Sequence, residues 1–206
     1  MSEDVQEFWN QRFGRDEYVY GTTPNTFLQS SAHYFPANGK VLCIAEGEGR
    51  NALFLCQQGH TVHAVDLSTE GKAKAERLAQ QHGVSLEYAI CDLNDFDYGE
   101  NQWNAIVSIF AHVDSASRAN IYRKAIASLK PGGIFLLESY HPRQLEYGTG
   151  GPKDVGMLVT LEDLRTHFQG LEVLHEAELE RDVTEGTFHT GNAYVTQLIV
   201  RKTAGS

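Results

Sequence analysis

Val41-Leu42-Cys43-Ile44-Ala45-Glu46-Gly47-Glu48-Gly49-Arg50-Asn51 is the stretch that decides the fold. An apolar run closing on a two-glycine turn is how α/β folds lead a strand into a helix and seat a nucleotide between them. A turn built for pyrophosphate offers bare backbone N–H groups and the positive end of the next helix to negative charge. Glu46 and Glu48 oppose that use, because their carboxylates repel phosphate. The same carboxylates attract a cationic nucleoside, and S-adenosylmethionine, with an ammonium and a sulfonium beside its adenosine, has that chemistry.

Downstream of this turn, short β-rich runs alternate with helical patterns, the signature of a parallel sheet with crossover helices. Strands are expected at Val41–Ala45, Thr61–Asp66, Leu86–Cys91, Trp103–Ile109 and Ile134–Glu138. Helices are expected after the turn up to Gly59, over Thr69–Gln81, and over Ser115–Leu129, where Lys130-Pro131-Gly132-Gly133 is a strong stop. After the Gly-rich segment Gly148–Pro152 and a short helix near Leu161–Phe168 come two long strand patterns, Leu171–Val183 and Ala193–Arg201. The turn between them is too short for a crossover helix, so they pair antiparallel. The fold class is α/β: a doubly wound, Rossmann-like sheet, mostly parallel, ending in an antiparallel C-terminal hairpin.

The 206 residues suit one domain, with a helix and a lid arm over 1–36 and a core over 37–202. With 27 acidic against 17 basic side chains, the formal charge is -10, which gives no electrostatic footprint for nucleic acid or anionic membrane. A small acceptor is favoured. Cys43, Cys56 and Cys91 have no paired spacing and read as reduced thiols of a cytoplasmic protein. The acidic N-terminus has no apolar leader, and no run approaches the ~20 apolar residues of a membrane span. His60 and His63 lack a third ligand at metal spacing, so no metal site is expected.

Asp66 closes the second strand 66 − 49 = 17 positions beyond Gly49, where an acceptor-only side chain takes ribose hydroxyls. Its alternative role is a helix cap before Leu67-Ser68-Thr69. Phe8, Trp9, Arg12 and Phe13 are helically spaced; Trp9 is expected to pack that helix on the sheet, while Tyr20, beside Gly21, leans toward a lid over the site. Lys72, Lys74 and Arg77 read as an ordinary solvated helix face.

These features together resemble the class I S-adenosylmethionine-dependent methyltransferases, over Phe8 to Lys202. The wording Ala45-Glu46-Gly47-Glu48-Gly49-Arg50-Asn51-Ala52, with Ile109-Phe110-Ala111-His112 and His189-Thr190-Gly191, resembles the small bacterial proteins related to tellurite-resistance and thiopurine methyltransferases. The resemblance implies that the backbone of Ala45, Gly47 and Gly49 meets the methionine end of the cofactor. It places Asp66 at the ribose, with Leu67 among the cofactor-binding residues, Asp92 and Leu93 at the adenine, and the Phe110 backbone beside the cofactor. The chain departs from the family's D-x-G-x-G-x-G at Cys43 and Ala45, and Glu46 is the candidate to supply the missing charge. His112 is the best-placed base if the acceptor must lose a proton, with a pocket-shaping role as the alternative. Tyr140, His141 and, in the hairpin turn, His189 are further candidates to face the acceptor.

The function expected from this reading is methyl transfer from S-adenosylmethionine to a small molecule, a thiol or an oxyanion of tellurium or selenium. Two rivals remain open at this point. Gly47-x-Gly49-x-x-Ala52 with a later Asp satisfies the loose dinucleotide fingerprint of an NAD-dependent oxidoreductase, and a non-catalytic S-adenosylmethionine-binding module carries the same motifs.

Overall fold

The computed structural model describes residues 2–187 and 190–203. Helices α1 (Ser2–Phe13) and α2 (Thr26–Ser31) precede the sheet. From β1 (Lys40–Ile44) the chain winds through α3 (Arg50–Gln57), β2 (Thr61–Asp66), α4 (Thr69–Gln81) and β3 (Glu87–Ile90). It then returns to the other side of β1 through β4 (Trp103–Ile109), α5 (Ser115–Ser128) and β5 (Leu129–Tyr140). Helix α6 (Leu161–His167), β6 (Glu172–Asp182) and β7 (Asn192–Arg201) complete it.

The seven strands lie in the order β3-β2-β1-β4-β5-β7-β6. Strands β1 to β5 are parallel, and β7 inserts antiparallel between β5 and β6. The winding direction reverses between β1 and β4, which opens a crevice at their carboxyl ends, where open α/β sheets bind ligands. The two central strands are buried on both faces, as a helix-covered parallel sheet requires. Their side chains alternate with period two: Val41, Cys43, Val107 and Leu136 face one apolar layer, and Leu42, Ile44, Ile106 and Leu137 face the other.

Local signals set most element ends. The Ser68 hydroxyl accepts from Gly71 N at the start of α4, and Asp114 accepts from Ala116 N and Ser117 N at the start of α5. Helix α3 differs, because its N-cap is Gly49, at φ +89°, which has no side chain to offer. Its cap comes from further upstream: Glu46 Oε1 accepts from Asn51 N at 3.0 Å and Ala52 N at 2.8 Å.

Strand β5 departs from the sequence expectation at both ends. Leu129 already pairs with Trp103, so the helix stops at Ser128 and the register shifts where Lys130–Gly133 bulges. At the other end Ser139 and Tyr140 pair with Thr196 and Val195 of β7, so the strand runs two residues past Glu138. That extension buries Tyr140 in the sheet. No helix among the described residues is long and apolar enough to cross a membrane.

Candidate active site

At the carboxyl ends of β1, β2 and β4, and over the loop that follows β3, lies a cavity of ≈ 710 Å³, within the ~300–1,000 Å³ of small-ligand sites. Ala45, Glu46 and Gly47 line it from the turn after β1, Asp66 and Leu67 from the end of β2, and Asp92 and Leu93 from the segment after β3. Phe110 and His112 line it after β4, and Tyr20 covers it from the N-terminal arm. The carboxyl edge of the parallel sheet and the N-terminal arm thus assemble ten of the sequence-derived candidates around one space.

Two strained positions shape its floor. Ala45 and Phe110 hold φ at +52° and +51°, the left-handed region that costs a residue with a Cβ roughly 1–2 kcal/mol. Such strain clusters where backbone must approach a ligand. Gly47, at φ +61°, donates its N–H to Asp66 Oδ2 at 3.0 Å and accepts from the Tyr88 hydroxyl at 2.7 Å. A Cβ on Gly47 would stand 3.0 Å from the Phe13 ring.

The Asp66 carboxylate also accepts from Ser68 N at 2.9 Å. Burial raises it above the ordinary aspartate range, and the N–H groups of Ser68, Gly47 and Leu67 pull it back. Burial raises Glu46 to about 7, against the N–H groups of Ala52 and Asn51 and the charge of Arg50. The Cys43 thiol lies against Glu46 and is itself raised well above its usual value, mainly by burial. Asp92 holds Asn94 through its backbone and side-chain nitrogens, at 2.9 and 3.3 Å.

The remaining candidates sit elsewhere. Gly49 lies off the cavity: a Cβ there would come within 2.6 Å of Ala75 Cβ, so its glycine lets α3 approach α4. Tyr140 is 1% exposed behind the cavity wall, stacked on Phe110 at 4.6 Å and on His112 at 5.9 Å, where it fixes both rings from beneath. His141 turns toward the hairpin: its Nδ1 accepts from Arg143 N, and its ring lies 5.0 Å from Tyr194. His189 lies outside the described residues.

Three features of the wall escaped sequence reasoning. Trp9 borders the cavity, stacked on Phe13 at 5.4 Å, because Asn10 Oδ1 accepts from Ser68 Oγ and Thr69 N and pins α1 across the cavity mouth. Glu48 is not a free charge for a ligand: Lys74 Nζ reaches it at 2.9 Å, and Val19 N and Tyr20 N donate to it. Lys74, expected on a solvated face, is 5% exposed because the arm folds over it, and it also donates to Glu17 O. Met157 enters the cavity from a 3₁₀ turn, held by Arg118, which donates to Leu158 O and Gly156 O. Behind the site, Arg50 pairs with Glu185, Arg181 with Glu138 and Glu185, and Asn25 Nδ2 donates to both acids. This buried network fastens the arm and the hairpin to β5.

Residues 41–133 match the family model described as a methyltransferase domain. The chain is 26% identical over 145 residues to the sterol 24-C-methyltransferase ERG6B of Gibberella zeae, covering 66% of this chain and 38% of that protein. It is 26% identical over 147 residues to the tRNA 5-carboxymethoxyuridine methyltransferase of Escherichia coli, covering 66% of this chain and 56% of that one. The chain thus spans only about two-fifths to just over half the length of these relatives. The structure of TehB from Haemophilus influenzae superposes with a TM-score of 0.72 at 16% identity, over 96% of this chain and 66% of that one. Residues 41–133 match a methyltransferase domain, and with the strands that follow the sheet has the class I Rossmann-like fold seen in S-adenosylmethionine-dependent methyltransferases.

Proposed function

We propose that this chain transfers a methyl group from S-adenosylmethionine to a small-molecule acceptor. The observation that carries the reading is a cavity at the switch point of the sheet whose wall holds two buried carboxylates, Glu46 and Asp66, bonded to backbone N–H groups, with no lysine or arginine among the described residues ion-paired to them. The chain's residues fit this cofactor: the donor set is acidic where its cationic end would lie. The same acids oppose a pyrophosphate there, which weighs against a dinucleotide.

When bound, the cofactor supplies a methyl group already activated on a sulfonium. Asp66, acceptor-only when ionised, would take ribose hydroxyls, and Asp92 and Leu93 would meet the adenine. Ala45 and Gly47 would let the backbone close on the methionine end. Trp9, Phe13 and Tyr20 close the cavity against water and line it with aromatic faces suited to a cationic centre. With an activated donor, alignment supplies most of what in-line displacement needs. His112, its ring held flat on Tyr140, is the residue placed to accept a proton from an acceptor that carries one.

Of the two acceptor classes, the wall favours a neutral thiol over a tellurium or selenium oxyanion. Glu46, Asp66, Asp92 and Asp114 all line the cavity, and the guanidinium of Arg50 beside them is engaged by Glu185. The charge of -10 argues in the same direction against a nucleic-acid acceptor. Three free thiols suit a reducing cytoplasm, and we take the chain as one domain. Release of S-adenosylhomocysteine from purified protein offered S-adenosylmethionine with a thiol panel, tellurite or selenite tests the reading. Turnover with a thiol supports it; cofactor binding with no turnover of any acceptor would make the chain a binding module.

A further inference from the structure

Five glutamate and aspartate side chains are buried among the described residues: Glu46, Glu48, Asp66, Glu138 and Glu185. Three are matched by cations, Glu48 by Lys74, Glu138 by Arg181, and Glu185 by Arg50 and Arg181. Glu46 and Asp66 are not, and both line the cavity. Asp66 lies at the strand end where ribose is held. Glu46 lies one turn away at the glycine loop, its Oε1 already committed to two N–H groups of α3.

We infer that Glu46 is the carboxyl that receives the cofactor's ammonium, and that it gives up a proton to solvent as the cofactor binds. This rests on the cofactor reading above. A carboxyl with no counter-ion in a buried site keeps its proton more readily than one in water. The groups around Glu46 do not supply that counter-ion. Cys43 on β1 and Cys56 on α3 are thiols with raised values, Asp66 on β2 repels, and Tyr88 on β3 donates its hydroxyl to Gly47 O. Arg50 on α3 lowers Glu46 through its charge, but its guanidinium is hydrogen-bonded to Glu185 and Thr23 O and not to Glu46. With burial holding Glu46 near 7, a substantial fraction carries a proton at neutral pH. An arriving ammonium is the missing charge, and it drives the carboxyl to its ionised form.

Titration calorimetry with S-adenosylhomocysteine at pH 6.5, in two buffers of different ionisation enthalpy, reads this directly. That ligand keeps the ammonium without the sulfonium, and its amine, near the ~8 of an α-amino group, is charged at pH 6.5. The expected result is release of a substantial fraction of a proton per ligand, and an affinity that weakens several-fold from pH 7 to pH 6, where the ligand amine stays charged. 5′-Methylthioadenosine, which lacks the amino-acid end, should bind without releasing a proton. Glu46→Gln keeps an oxygen to cap α3 and should abolish both the release and the pH dependence, while Asp66→Asn should leave the release in place. Equal heats in the two buffers, or release that survives in Glu46→Gln, would overturn the inference while leaving the cofactor reading intact. No binding of S-adenosylhomocysteine at all would sink both.

Discussion

Ala45 and Phe110, at the carboxyl ends of the neighbouring strands β1 and β4, share one left-handed conformation, with φ of +52° and +51°. Neither is glycine. Both line the cavity, and each turns the chain where its strand ends. Ala45→Gly should therefore relieve strain and stabilise the protein by about 1 kcal/mol, and Ala45→Val, branched at Cβ, should destabilise it. Urea denaturation of the two variants checks the opposite signs.

Lys74 and Glu48 form a buried pair on which the N-terminal arm rests. Removing the cation leaves an uncompensated charge, so Lys74→Met should cost about 3–5 kcal/mol. The double variant Lys74→Met, Glu48→Gln should recover much of that, because both charges then leave together. Chemical denaturation of the full cycle measures the coupling, and additive single losses would contradict the pairing.

Glu46 also sets a pH dependence of the ligand-free protein. Its folded value, about 7, lies above its unfolded value near 4.5, so its contribution is fully present below the unfolded value. That contribution is lost as pH rises toward 7. Across pH 5 to 8 the wild type should lose on the order of 2–3 kcal/mol relative to Glu46→Gln. Parallel denaturation curves for the two proteins give the difference; a constant offset at all pH values would contradict it.

Asp66→Ala should weaken S-adenosylhomocysteine at least about tenfold, since it removes an acceptor from the cavity wall and leaves Gly47 N and Ser68 N without their partner. Cys43→Ala should change affinity much less, because Cys43 is fully buried in β1 and lies off the cavity. Comparable losses in calorimetry would reverse the assignment.

What the sequence revealed was what short-range physics specifies. Thr61–Asp66 and Thr69–Gln81 have the bounds expected of them because an apolar run, a Ser68 cap and the Gly83 stop all lie within the segment itself. The cavity-lining acids at strand ends were legible for the same reason. Long-range partners were not. Tyr140 was displaced from the rim by pairing with Val195, 55 residues later (195 − 140 = 55). Lys74 looked solvated until the arm folded over it. Met157 arrives from a loop with no periodicity, positioned by an arginine on another helix. Glu46 was read as a charge awaiting a ligand, and its second role as the missing cap of α3 needed the turn's three-dimensional path.

The most direct test of the account is parallel calorimetric titration of the purified protein with S-adenosylmethionine, S-adenosylhomocysteine and NADH. Saturable binding of the first two, with NADH silent, is the expected result. Binding of NADH alone would mean that the acids of the glycine turn do not govern the site, and it would contradict the methyltransferase reading.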